Sequence, residues 1–231
     1  MTAAHQTTPP LRVVELANFQ RSRGGSFTPM LQAVLREVAG RGWAAEAVFF
    51  EEAGESEWID SLRADGVVVH LAPTKLMSSR TGRRRWLAKE LGRSDVQTVF
   101  HTHFTSWDVP TLLSANRRRG DAVFWHVHTA ISTNPFVLAR GNIKFRLMAR
   151  GVETTFCPAP NICDGLIRMG ARPDRVHFLP SALQTDLFPL LDEEERRAAR
   201  GRLELPREAT VLLHFGWHFH LKGNDIFLAT L

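Results

Sequence analysis

The stretch Val96–His128, VQTVFHTHFTSWDVPTLLSANRRRGDAVFWHVH, decides the reading of the whole chain. It opens on a run of β-branched and aromatic residues, Val96–His101, and closes on a second, Ala122–His128. Between them Val109–Arg118 carries a helical pattern. Short apolar runs of this kind read as buried strands. Two strands joined through a helix lie parallel, because parallel neighbours need a crossover connection rather than a tight turn.

The same alternation continues outward from that stretch. Upstream, Leu11–Leu16 (LRVVEL), Ala45–Phe50 and Val67–Leu71 read as strands. A helix begins at Thr28 and Pro29 and places Met30, Leu31, Val34, Leu35 and Val38 on one face; Trp58, Ile59 and Leu62 mark a shorter one. Arg80–Leu91 is a basic helix. Downstream, the helices Phe136–Arg150 and Pro160–Met169 alternate with the strands Thr154–Cys157 and Val176–Leu179. Such repetition predicts a doubly wound, mostly parallel α/β domain of Rossmann-like type with helices on both faces.

The texture changes near Phe188. Asp192–Arg202 is a charged helical stretch, Pro206 breaks it, and Thr210–Phe215 (TVLLHF) reads as a fresh buried strand. Gly216–Gly223 is a loop, and a helix starts at Asn224. One strand and part of a helix cannot bury a core of their own. The reading is therefore a loose tail over 1–10, a Rossmann-like domain over 11–190, and the beginning of a second, incomplete Rossmann-like domain over 191–231.

Composition narrows the function class. With 44% hydrophobic and 23% charged residues in a chain of 231, a packed core is affordable and long disorder is not expected. No apolar run approaches the roughly 20 residues that span a bilayer, and the polar start Met1–Pro10 lacks an apolar signal core, so a cytoplasmic protein is expected. Cys157 and Cys163 make neither a disulfide framework nor a four-ligand zinc site, and read as small buried hydrophobes. The formal charge of +5 is concentrated in Arg83–Arg85 and Arg117–Arg119, blocks that favour phosphate groups. Arg83, Arg84 and Arg85, beside Trp86, Leu87 and Leu91, suggest a peripheral contact with an anionic membrane. No recognition-helix motif and no basic–aromatic strand platform points to nucleic acid.

Three loops at predicted strand ends could carry chemistry, since ligands of open α/β sheets bind there. Gly24-Gly25 precede a helix, where backbone N–H groups can approach a phosphate. His101 and His103, then His126 and His128, form two H-x-H pairs, each on one face of its strand. Such a set could hold zinc, with Asp108 the obvious nearby carboxylate, or could hydrogen-bond sugar and phosphate. No bound metal is the preferred reading. Last, Gly216 and Lys222-Gly223 frame a loop that ends at a helix start, where Lys222 suits a diphosphate.

At these residues the chain resembles the large family-four class of retaining glycosyltransferases, which have the GT-B fold of two Rossmann-like domains. The likeness runs from the Gly24-Gly25 loop through SDVQTVFHTHF (94–104), FWHVHT (124–129) and GARPDRVHFLPSALQTDLF (170–188) to Val211–Gly223. It implies sugar transfer from a nucleotide-diphosphate donor, a co-substrate rather than a cofactor, with retention of anomeric configuration, to a glycan, lipid-linked or other acceptor. His128 would face the donor sugar, Gly24, Gly25, Gly216 and Lys222 the phosphates, and His101 and His103 the acceptor or sugar. The chain departs from the pattern at Trp217, where the family has arginine, and at Ser181-Ala182 and Gln184, where it has Asn-Gly and Asp. The family's E-x7-E motif would lie beyond Leu231, so these residues alone are expected to be inactive. Two other readings remain: a non-catalytic half-protein that binds a glycan or partner, and a metal-dependent hydrolase built on the H-x-H pairs.

Overall fold

The computed structural model describes residues 11–18, 27–54, 56–92, 95–129, 131–132, 134–182, 189–214, 220 and 223–230. Contacts divide the chain into two units, Met1–Gln184 and Thr185–Leu231.

The first unit is built on seven parallel strands: β1 (Arg12–Ala17), β2 (Ala44–Phe50), β3 (Val68–Ala72), β4 (Thr98–His103), β5 (Ala122–His126), β6 (Thr154–Cys157) and β7 (Val176–Phe178). Their spatial order is β3-β2-β1-β4-β5-β6-β7. The helices are α1 (Phe27–Gly40), α2 (Glu57–Ala64), α3 (Arg80–Glu90), α4 (Asp108–Ser114), α5 (Pro135–Ile143) and α6 (Pro160–Arg168). From β1 the chain builds to one side through β2 and β3, then returns to place β4 against the other edge of β1. A doubly wound, all-parallel Rossmann-like sheet is thus the observed architecture.

Alternation along the strands explains the two cores. In β1, Val13 and Ala17 join Leu31, Leu35 and Val38 of α1 and Ile59 and Leu62 of α2 on one face. Val14 and Leu16 join the opposite face, with Phe50, Trp107, Trp125, Leu87 of α3 and Leu166 of α6. Each such aliphatic or aromatic side chain taken from water stabilises by about 1.5–3 kcal/mol. Both faces are therefore covered, which is why the strands read as near-continuous apolar runs.

Three expectations are corrected. Cys157, at the end of β6, is disulfide-bonded to Cys163 in the first turns of α6, so the pair are not two free buried thiols. The strand brings one sulfur and the following helix the other to within bonding reach, a coincidence that spacing in the sequence does not show. Arg83 is buried rather than presented to a membrane. Its guanidinium donates to the carbonyls of Leu76, at 2.8 Å, and Met77. Of the arginine block only Arg84 and Arg85 are exposed, and Leu87 and Leu91 of that helix pack on the sheet.

The third correction concerns the second unit. It holds α7 (Glu193–Arg202), started by a capping box in which Asp192 and Glu195 satisfy each other's backbone N–H groups, and α8 (Asn224–Ala229). Residues 210–214 form no strand, and Val211, Leu212 and Leu213 stand exposed. A strand needs a neighbour to take its N–H and C=O groups and a layer to cover its apolar side. Among the described residues of this unit neither is supplied.

Candidate functional site

The switch in strand order lies between β1 and β4. The chain leaves β1 for the face that carries α1 and leaves β4 for the face that carries α4, which opens a crevice at the carboxyl ends of the two strands. Asn18 Nδ2 donates to Ser106 Oγ at 3.2 Å across that crevice. After His103, both Phe104 and Thr105 take left-handed backbone conformations, with φ of 59° and 64°. For a β-branched residue such as Thr105 that conformation is strained, and strain of this kind gathers at functional rims.

Register decides which side chains meet there. Glu15 of β1 lies opposite His101 of β4, Ala17 opposite His103, and His103 in turn opposite His126 of β5. Cross-strand partners share a face, so one carboxylate and three imidazoles converge, and His128 follows just past the strand. Glu15 Oε2 is 2.8 Å from His103 Nε2 and 3.0 Å from His101 Nδ1. His103 Nδ1 is 2.8 Å from His128 Nε2. The rings of His126 and His128 stack at 4.0 Å between centroids. Phe27, at the start of α1, meets the rings of His103 and His128 edge-on.

Burial and charge set the protonation of this group. Burial alone would raise the Glu15 carboxyl, but the charge and N–H of His101, joined by His103, outweigh it and hold Glu15 well below the ordinary range. An ionised Glu15 accepts from both rings. That assigns the proton of His101 facing it to Nδ1 and that of His103 to Nε2. His103 Nδ1 is then an acceptor for His128 Nε2–H. Burial, with the neighbouring His103 and His101, pushes His126 down to about 3. Burial, with the mutual repulsion that would follow if His126, His103 or His101 were also charged, pushes His128 down to about 2. Both rings are therefore neutral at neutral pH.

Of the residues singled out from the sequence, the structure brings the four histidines of the two H-x-H pairs, His101, His103, His126 and His128, together. Gly24, Gly25, Gly216 and Lys222, with Trp217, lie outside the described residues. Asp108 is not a partner of the histidines. Its carboxylate accepts from Thr102 Oγ1 and pairs with the ammonium of Lys144. Lys144 also lies 4.5 Å over the Trp125 ring. The residue that sequence reasoning missed is Glu15. Its one signal was an acid between the apolar Val13-Val14 and Leu16 of LRVVEL.

On the other face, near α3, α4 and α5, a cavity of about 600 Å³ opens beside the strained turn. Thr105 and Ser106 form part of its wall, Arg80, Arg140 and Lys144 bring cations, and Ile131 and Met169 are among its apolar residues.

The comparisons with known proteins agree with this architecture. No family model matches the chain. A curated D-inositol 3-phosphate glycosyltransferase of Catenulispora acidiphila is 42% identical over 66 residues, which are 28% of this chain and 15% of that protein. Among solved structures, a glycosyltransferase of Rickettsia africae superposes with a TM-score of 0.63 at 12% identity, over 92% of this chain and 55% of that one. HepE of Anabaena in complex with UDP gives 0.61 at 12% identity, over 84% of this chain and 50% of that one. The galactosyltransferase WaaB of the lipopolysaccharide outer core gives 0.54 at 10% identity, over 75% and 47%. The chain spans about half the length of these structures. What they share with it is the GT-B glycosyltransferase fold. Among the described residues no helix is long and apolar enough to cross a membrane.

Proposed function

We propose that this chain is the acceptor-side part of a retaining glycosyltransferase that takes its sugar from a nucleoside-diphosphate donor. The observation that carries the reading is His128. It stands half-exposed at the carboxyl end of β5, beside the β1–β4 crevice, held through Nε2 by His103. Its Nδ1 is left to meet a sugar hydroxyl, and its neutral state keeps it a hydrogen-bonding group rather than a charge. Fold alone does not name an activity. The fit of that fold to a polar, pre-oriented imidazole at the switch point is what supports transfer. HepE, of the same fold, is described with UDP-glucose, which supports the donor class.

In this reading the phosphates of the donor meet Gly24, Gly25, Gly216 and Lys222, whose positive charge stabilises the departing diphosphate. No resident cofactor takes part. The acceptor occupies the 600 Å³ cavity, where Arg80 and Arg140 beside apolar walls suit a molecule with an anionic group. The test is nucleotide-sugar turnover by the native protein against a panel of uridine- and guanosine-diphosphate sugars, with product anomer read by proton NMR. His128→Ala should lower kcat on the order of 10²-fold by loosening placement of the donor. Unchanged kcat in that variant, or an inverted product, would overturn the reading.

A further inference from the structure

The floor beneath His128 has a property that sugar transfer does not use. His126 is buried, at 3% exposure, and neither of its ring nitrogens has a hydrogen-bond partner among the described residues. His101 Nε2 is buried and unpartnered as well. A buried polar nitrogen left without a partner is destabilising, because it has given up its hydrogen bond to water. One ion can satisfy His101 Nε2 and one nitrogen of His126 together.

The geometry points to a divalent transition-metal site, of the zinc class, held by His101, His103 and His126. One ring nitrogen from each of the three lies within 4.8 Å of the others. Their ring centroids are 4.3, 5.4 and 5.5 Å apart. At a Zn–N length of about 2.0–2.1 Å, tetrahedral geometry sets ligand nitrogens about 3.3 Å apart, so small side-chain rotations close the site. The donors are all imidazole, which selects zinc, cobalt, nickel or copper over magnesium and calcium. Glu15 supplies what such sites have behind their ligands. It accepts the far N–H of two of the rings, His101 Nδ1 and His103 Nε2, and so turns His101 Nε2 and His103 Nδ1 toward the ion. His103 Nδ1 would exchange its contact with His128 for the metal. His103 and His126 are almost wholly enclosed, and three protein ligands leave a fourth position for a water or hydroxide. The ion would clamp β4 to β5 where the rim carries His128. This goes beyond glycosyl transfer, and the ion would release His128 from the His103 hydrogen bond on which its placement there rests.

The test is metal binding by the purified 231-residue chain after dialysis against a chelator. Calorimetric titration with zinc chloride should show one equivalent per chain with sub-micromolar affinity. Cobalt should give the intense visible absorption of tetrahedral coordination. Nitrogen-15 spectra of the imidazoles should show three rings metallated in the wild-type chain, a readout that survives even if a variant fails to fold. His126→Ala and His101→Ala should weaken binding at least 100-fold, Glu15→Gln by about 10–100-fold as a positioning residue, and His128→Ala, which frees His103 Nδ1, should bind at least as tightly as wild type. No binding tighter than millimolar overturns the proposal. So does one equivalent that persists in His101→Ala and His126→Ala, or metallated rings other than these three.

Discussion

Buried ions at the two ends of the strands divide the labour of the sheet. Arg12 grips Glu46 through two hydrogen bonds of 2.6 Å and reaches the carbonyl of Leu91 at 2.8 Å, while His70 Nε2 lies 2.7 Å from the same carboxylate. Burial would raise the Glu46 carboxyl, but the hydrogen bonds from His70 and Arg12 outweigh it and hold it below its ordinary 4.5. A depressed folded-state value means stability that is fully present above about 4.5 and lost as pH falls through the lower folded value. Urea midpoints measured from pH 7 down to pH 3 should fall accordingly, and in Glu46→Gln that part of the slope should vanish. Glu46→Ala leaves Arg12 buried without its counter-charge and should cost about 3–5 kcal/mol. Asp108→Ala should cost as much for the same reason, because it strands Lys144 and Thr102 together. Equal midpoints for wild type and Asp108→Ala would refute that role.

At the level of elements, the one covalent link among the described residues is Cys157–Cys163, which ties the end of β6 to α6. A loop this short removes little chain entropy, so reduction should cost roughly 2 kcal/mol, or about 4–8 °C in melting temperature by calorimetry. No change on reduction would mean that the sulfurs contribute only by packing. In a reducing cytoplasm the pair would stand as two buried thiols. The strands themselves were legible because, in a parallel sheet, burial on both faces leaves short runs rich in β-branched and aromatic residues. Their ends were less so: β4 runs on to His103 because it pairs with Ala17, and β5 stops at His126. The histidine pairs were visible as H-x-H. Glu15 was not visible as their partner, since only the β1–β4 register sets it beside His101. Arg83 looked like surface because a run of arginines does not reveal which one turns toward the carbonyls of the preceding turn. TVLLHF looked like a strand because its apolar content is strand-like, while the neighbour a strand requires is a fact of assembly that residue type does not carry.

Across the whole molecule, the chemistry is placed by topology. The crevice, the strained turn at Phe104-Thr105 and the imidazole floor all follow from the decision to return from β3 and lay β4 on β1. If that arrangement serves transfer, a variant that loosens the strained turn on the cavity wall should alter rate more than binding. Thr105→Gly relieves the left-handed strain and loosens the turn. It is expected to leave stability near wild type and to lower kcat several-fold in the native protein with KM little changed, measured by nucleotide release. A change confined to KM would place Thr105 in substrate contact instead.

The same return carries a consequence for synthesis. Glu15 and His101 are separated by 86 positions, so β1 leaves the ribosome long before the strand that will neutralise it. In that interval β1, β2 and β3 can assemble, and the open edge of β1 offers a row of unpaired N–H and C=O groups to any passing chain. Glu15 at that moment is a solvated anion in the middle of the exposed edge, and a charge there opposes pairing with another copy. Only when β4 arrives with its imidazoles does the guard become a tenant of the interior. A residue that helps to organise the mature rim would thus also keep the nascent sheet single.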